Sequence, residues 1–396
     1  MKNVLIYFNK ENLAPTGGPR GYLYNLYQGL KKVHNTEVKV SFLSSNKKKS
    51  LKNSTVVKDR YNKLPLFVKK LYRIYGRHRE YLAFKKGRSA LNIEDISSYD
   101  AIHFHDVFVL YKNRDLLNNY EGKVILTTHC PKPPHLEKVE DMYSGIERFV
   151  YGKSHSAFYE KCVKYAFEKV DYVLFPCKEA EEPYYNNWDY YRIIHEKSDS
   201  KFIYLPTGLQ DCAPKVKHPK HIVREKYNIP EDAFVISFVG RHNAVKGYDT
   251  LREIAESICS PNIYFLIAGE ETPLQRPNVE NWREVGWTND PYSIISASDL
   301  FILPNKETYF DLVLLEVLSL GKAVLASKTG GNKFFQTLDS GIELYNSKEQ
   351  AVELINNLCQ SRDKIETMGQ KNRMLFESHF TDERFASNYI SLLKEL

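Results

Sequence analysis

Short apolar runs recur along this chain, separated by stretches in which apolar residues return at helical spacing. Val4–Phe8 reads as a buried strand, Tyr22–Lys32 as an amphipathic helix and Val38–Leu43 as a second strand. Ala101–His105, Lys123–Thr128, Tyr172–Phe175 and Phe202–Leu205 follow, at spacings that leave room for crossover helices. Continuous apolar runs mark strands covered on both faces, and intervening helices make the sheet parallel. A segment rich in Pro, Gly and Lys (Pro206–Lys220) interrupts the pattern, which then restarts. The second series has strands at Phe234–Val239, Tyr264–Ala268, Leu300–Leu303 and Ala323–Ala326, with helices at Tyr248–Cys259, Pro291–Ala297 and Leu312–Leu320. Thr381–Leu396 reads as a last amphipathic helix. The length, 396 residues, fits two domains better than one. The pattern predicts an α/β protein of two Rossmann-like, doubly wound domains, spanning 1–208 and 209–378, followed by a tail at 379–396. Such folds bind ligands at the carboxyl ends of their strands, so the strand-to-loop junctions are where chemistry is expected.

Two junctions in the second half carry candidate groups. In FVGRHNAVKGYD a strand ends at Val239, Gly240 turns the chain, and Arg241 and Lys246 precede a helix start. A planar guanidinium fork, a point charge and the free N–H groups of a helix start suit a pyrophosphate. Two cations on an ordinary surface loop would look the same in isolation. Further on, Glu316 sits in a helix among Val313, Leu314, Leu315, Val317 and Leu318. A carboxylate among aliphatics is costly without a partner, and a ribose diol can donate hydrogen bonds to it. The plain alternative is a glutamate on the wet face of that helix. Gly330-Gly331 follows the next strand, as a simple turn or a place of close backbone approach.

Taken together, F-V-G-R-x4-K-G, I-A-G, D-L-F-I-L-P, a Glu-bearing helix and G-x-x-V-L-A-x-x-x-G-G resemble the donor domain of retaining GT-B glycosyltransferases. The likeness is to family four of that superfamily and covers nearly all of Phe234–Phe335. It implies that Arg241 and Lys246 bind the diphosphate of a nucleotide-sugar donor and that Glu316 holds the ribose. Asp311 and Leu312, at the start of the Glu316 helix, would lie by the donor. One position departs from the family's Glu-x7-Glu signature. Eight residues before Glu316 stands Thr308; the nearest acid, Glu307, is one residue early, and Asp311 replaces the usual glycine. The role beside the donor sugar is open between Glu307, Thr308 and Asp311. In the N-terminal half the resemblance extends to Gly17-Gly18 before the first helix, matching a glycine loop that faces the donor. It also places His129, after the strand Lys123–Thr128, by the transferred sugar. His105 is the weaker match, on the acceptor side. The tail resembles the family's final helix, which crosses back onto the first domain.

The net charge of +7 is uneven. From Lys47 to Arg88 fifteen Lys and Arg face only Asp59 and Glu80, so this window carries +13 and the remainder −6. Within it Leu64–Lys86 interleaves aromatic and aliphatic residues with cations, and Gly76 is expected to divide it into two helices. A basic amphipathic segment fits an anionic membrane surface, contacted through residues 47–88. A solvated helix packed on the sheet is the simpler reading, and nucleic acid would leave the cleft without a purpose. Six scattered cysteines form no C-x-x-C, and the N-terminal apolar run is too short for a signal peptide. No apolar run approaches the ~18 residues of a membrane span. The expectation is a cytoplasmic protein, possible at the inner face of the membrane.

The predicted activity is transfer of a sugar from a nucleoside diphosphate to a glycan or lipid-linked acceptor with retained configuration, in bacterial surface polysaccharide synthesis. No cofactor or metal is expected, since the fold type needs none and no convincing D-x-D is present. The alternatives are a GT-B-fold sugar-nucleotide epimerase or a non-catalytic protein that binds sugar nucleotides or nucleic acid.

Overall fold

The computed structural model describes residues 1–8, 13–15, 17–44, 65–87, 96–143, 145–270 and 273–396. Its strands form two six-stranded, all-parallel sheets. The first contains β1 (Lys2–Phe8), β2 (Val38–Ser44), β3 (Ala101–Phe104), β4 (Lys123–Leu126), β5 (Tyr172–Phe175) and β6 (Phe202–Tyr204), in the order β2-β1-β3-β4-β5-β6. The second contains β7 (Phe234–Val239), β8 (Ile263–Ala268), β9 (Trp282–Gly286), β10 (Leu300–Leu303), β11 (Ala323–Ser327) and β12 (Ile342–Tyr345), in the order β12-β11-β10-β7-β8-β9. Strand order reverses between β1 and β3 and between β7 and β10. These are the points where a doubly wound sheet opens a crevice at its carboxyl edge.

The helices, numbered among the described residues, are α1 (Gly18–Lys32), α2 (Leu66–Lys85), α3 (Val107–Lys112), α4 (Arg114–Leu117), α5 (Pro134–Met142), α6 (Ile146–Lys169), α7 (Glu182–Asn187) and α8 (Asp189–Lys197) in the first half. The second half has α9 (Lys220–Lys226), α10 (Tyr248–Ser257), α11 (Pro291–Ala297), α12 (Leu312–Ser319), α13 (Lys348–Leu358), α14 (Arg362–His379) and α15 (Asp382–Glu395). The last of these packs on the first domain. Phe385 meets Tyr22 edge-on at 5.0 Å, and the Tyr389 hydroxyl lies 2.8 Å from His103 Nδ1. α1 comes so close that a side chain at Gly29 would stand 2.0 Å from the Asp382 carbonyl.

The central strands of both sheets follow the apolar runs. β10, for example, is buried at every position. Two edge strands, β9 and β12, had no such signal. Their sequences, WREVG and IELY, mix charges with apolar residues because an edge strand is only half covered, and most of their residues are partly exposed. α2 runs unbroken through Gly76, where two helices were expected. A mid-helix glycine costs only about 1 kcal/mol relative to alanine, and packing of this helix on α6 outweighs that. Gly76 itself has open space around it. Of the basic stretch, residues 47–64 and Arg88 lie outside the described residues.

Candidate functional site

The carboxyl edges of the two sheets meet across a cleft. On the second domain, β7 ends in Val239 and leads through Arg241 to Lys246 and α10. The adjacent strand β10 leads through Pro304–Asp311 to α12. These two loops interlock. Gly247 takes a left-handed conformation (φ 65°), and a Cβ there would stand 1.6 Å from the Pro304 carbonyl oxygen. Lys306 N–H donates to the Val245 carbonyl at 3.0 Å. The helix-start geometry read from Gly247 and the strand end at Leu303 thus form one rigid floor.

Arg241 is exposed at the rim of this floor and enters no ion pair among the described residues. Lys246 is different. Its Nζ is held at 2.7 and 2.8 Å by both oxygens of Asp311, which also accepts from the Asn305 amide. The residue that replaces the resemblance's glycine is therefore the counter-ion of the expected phosphate lysine. Glu316, from α12, is half-buried. The Tyr292 hydroxyl donates to Oε1 at 3.4 Å. Burial pushes the Glu316 carboxyl up to about 7, and the Tyr292 hydrogen bond and the Lys215 charge only partly offset it.

Glu307, Thr308 and Tyr309 reach the other domain or lie beneath the floor. Glu307 Oε2 stands 3.1 Å from the ammonium of Lys132, itself 9% exposed. Thr308 is 1% exposed, and its hydroxyl has no hydrogen-bond partner among the described residues. Tyr309 crosses to the first domain, donating to the Leu174 carbonyl at 3.2 Å and packing on Phe175. Gly330 N–H donates to Glu182 at 3.2 Å, and Lys333 pairs with the same carboxylate at 2.6 Å. Leu312 abuts α1: a side chain at Gly21 would come within 2.9 Å of its Cδ1. Gly17 (φ 81°) caps α1, which begins at Gly18 with no side-chain cap, so its first N–H groups point outward.

On the first domain His129 follows β4 with φ 57°, a left-handed conformation rare outside glycine. Strain of this kind persists where surroundings impose it. Here the constraint is a ring cluster. His129 Nε2 and His105 Nδ1 share a hydrogen bond of 2.8 Å, and Tyr22 packs edge-on against His129 at 4.7 Å. His105 is 2% exposed. Burial, with His103 and His129 adding to it, holds its pKa well below the usual range, so it is neutral. The hydrogen bond and the packing place His105 behind His129, where it orients that ring. Glu137, on α5, was not singled out from sequence. Burial raises its pKa, and the positive charges of nearby Lys132 and of Arg241, across the cleft, partly offset that rise. Its only sequence signal was a glutamate shortly after the His129 loop. Among the described residues no group of three or more His, Cys, Asp or Glu side chains could hold a metal. No described helix is long and apolar enough to cross a membrane.

Two parallel, doubly wound sheets with this cleft between their carboxyl edges define the GT-B architecture. The structure is similar over 100% of this chain to 99% of the sucrose-phosphate synthase of Thermosynechococcus elongatus, with a TM-score of 0.65 and 17% identity. Residues 219–374 match the family model described as glycosyl transferases group 1. The chain is 27% identical over 216 residues to the lipopolysaccharide 1,2-N-acetylglucosaminetransferase of Salmonella typhimurium, covering 48% of this chain and 55% of the relative. It is 25% identical over 230 residues to an Escherichia coli UDP-Gal:alpha-D-GlcNAc-diphosphoundecaprenol alpha-1,3-galactosyltransferase, covering 52% of this chain and 58% of that protein. The matches thus span little more than half the length of these relatives.

Proposed function

We propose that this protein transfers a sugar from a nucleoside diphosphate to a hydroxyl of a glycan or lipid-linked acceptor, with retained anomeric configuration, in building a bacterial surface polysaccharide. The observation that carries this reading is the crevice at the β7/β10 switch point. There a guanidinium with no ion pair among the described residues, a helix start with a lysine and a half-buried carboxyl suit diphosphate and ribose in turn. In the step, the acceptor oxygen forms a bond to the anomeric carbon as that carbon's bond to the β-phosphate oxygen breaks. The electron pair leaves on the diphosphate, and the acceptor proton passes to a phosphate oxygen. Arg241 and Lys246 would stabilise the charge that develops there, in place of a divalent metal. His129, held by His105 and Tyr22, would line the sugar. Of the candidates for the missing first acid, Glu307 is engaged by Lys132 and Asp311 by Lys246. The Thr308 hydroxyl has no hydrogen-bond partner among the described residues, which a buried polar group needs, and we assign it to a donor-sugar hydroxyl. Of the names above, the galactosyltransferase's supports a lipid-linked acceptor. An anionic membrane contact through residues 47–88 belongs to the same reading, and α2 is the described part of that stretch.

The test is a screen of UDP-, GDP- and ADP-sugars for hydrolysis, transfer to added glycan acceptors, and thermal stabilisation. Turnover and stabilisation with at least one donor are expected. Interconversion of the sugar nucleotide without an acceptor would instead mark an epimerase, and no response to any donor would sink the transferase reading.

Glu316 adds a pH signature. A ribose diol donates two hydrogen bonds to the ionised carboxylate, so donor binding favours proton release from a group that titrates at about 7. The donor KM should fall as pH rises through about 7 and level off above it. Glu316→Gln should raise KM and abolish that step. A wild-type KM that is flat between about pH 6 and about pH 8 would show that Glu316 does not meet the ribose.

A further inference from the structure

α2 and α6 lie side by side and run in the same direction. Arg73 grips Glu147 with both Nε and Nη2, at 2.7 and 2.8 Å. His78 then stacks on Tyr151 at 5.4 Å, Tyr81 on His155 at 4.1 Å, and Phe84 meets Tyr159 at 6.1 Å. Steps of five, three and three residues along α2 are met by steps of four along α6, so the two N-termini share one end of the pair. Phe84, at the opposite end, is buried.

The shared N-terminal end is uncovered. On α2, Phe67, Leu71 and Tyr75 recur every four residues, which places them in one stripe, and they are 66%, 59% and 64% exposed. On α6, Ile146, Phe149 and Val150 fall at i, i+3 and i+4 and are 58%, 91% and 52% exposed. The Arg73–Glu147 bridge joins the helices at the level of both stripes. The surrounding charge among the described residues is mainly positive. Lys69, Lys70, Arg77 and Arg79 flank the α2 stripe, and Arg148 and Lys153 flank the α6 stripe. The nearby carboxylates of the two helices are paired: Glu147 is buried and taken by Arg73, and Glu80 of α2 meets Arg77 at 3.5 Å and Lys138 at 3.2 Å. Neither helix has a side-chain cap at its N-terminus, so two positive dipole ends point the same way.

We propose that this end of the helix pair is a two-pronged wedge that inserts into an anionic phospholipid surface, with Ile146 and Phe149 of α6 entering beside Phe67 and Leu71 of α2. The charge selects lipid as the occupant. Apolar stripes flanked mainly by cations match an acyl layer beneath anionic headgroups. The inference rests on the membrane-surface reading above and deepens it. It adds a second helix, α6, outside the basic stretch, and makes apolar insertion rather than charge alone the anchor. It is independent of sugar transfer.

The full chain is sedimented with vesicles of phosphatidylcholine alone or mixed with phosphatidylglycerol. Wild type should bind the anionic vesicles and not the neutral ones. The variant I146S/F149S, whose altered side chains are exposed and whose thermal unfolding should match wild type, should bind at least about tenfold more weakly. In a Phe149→Trp protein, emission should shift to the blue on anionic vesicles and be quenched by lipids brominated in the acyl chain. If I146S/F149S binds like wild type while K69E/K70E does not bind, insertion is overturned and the purely electrostatic membrane contact stands. If wild type binds neither vesicle, both are overturned. If wild type is a dimer that I146S/F149S dissociates, the wedge meets a second copy of the chain and not lipid.

Discussion

Replacing Arg241 with alanine is expected to lower kcat/KM for the sugar nucleotide about 10²–10³-fold, the usual loss when one preorganised donor to a developing oxyanion is removed. The structure makes Arg241 the sensitive cation of the pair. Arg241 is exposed and enters no ion pair among the described residues, so its charge is open to a diphosphate. Lys246 already shares its charge with the two oxygens of Asp311. A diphosphate arriving there gains less from Lys246, because it must compete with that carboxylate. Arg241→Ala should therefore cost more than Lys246→Ala, and most of the loss should fall in kcat, because the departing diphosphate is more charged than the bound donor. Single-turnover rates with saturating donor would measure this. An Arg241→Ala protein with near-normal turnover would exclude the assignment of the diphosphate to this rim.

Gly247→Ala should be the most damaging single-atom change in the second domain. The left-handed φ of 65° costs an L-residue about 1–2 kcal/mol. The added Cβ would also stand 1.6 Å from the Pro304 carbonyl oxygen and 2.5 Å from its carbon, so backbone must move against backbone. A total of about 3 kcal/mol or more is expected, which lowers the melting temperature by about 6–12 °C in a domain of this size. The same displacement would part the β7 and β10 loops and with them Lys246 and Asp311, so the donor KM should rise even where the protein stays folded. Thermal unfolding and donor titration on one preparation test both. An unchanged melting temperature would mean the two loops have slack that their close approach does not show.

The strand-and-helix alternation was legible because each of its signals is local. A parallel strand covered on both faces is an unbroken apolar run, as in Leu300–Leu303, and a tight strand-to-helix turn calls for glycine, as at Gly240 and Gly247. The strands β9 and β12 escaped because an edge position tolerates the charges of Arg283, Glu284 and Glu343. Gly76 misled in the opposite sense. Its intrinsic cost to a helix is real but small, and the contacts of Arg73, His78 and Tyr81 with α6 exceed it.

The sequence by itself determined two doubly wound domains, the strand-to-loop junctions at their carboxyl edges, and which residues stand there: Arg241, Lys246, Thr308, Asp311, Glu316 and His129. These follow from periodicity and turn chemistry within a few residues of each position. Only the tertiary structure decided how those residues are engaged. Asp311 neutralises Lys246, Glu307 turns to Lys132, Tyr309 anchors in the first domain, His105 is sealed behind His129, and Glu137 comes under the charge of Arg241. It also set α2 beside α6 with their apolar ends together. Each of these pairings joins groups on different elements. Their partners are selected by distance across a packed interface, where charge, burial and hydrogen bonding compete, and no spacing along the chain encodes that competition.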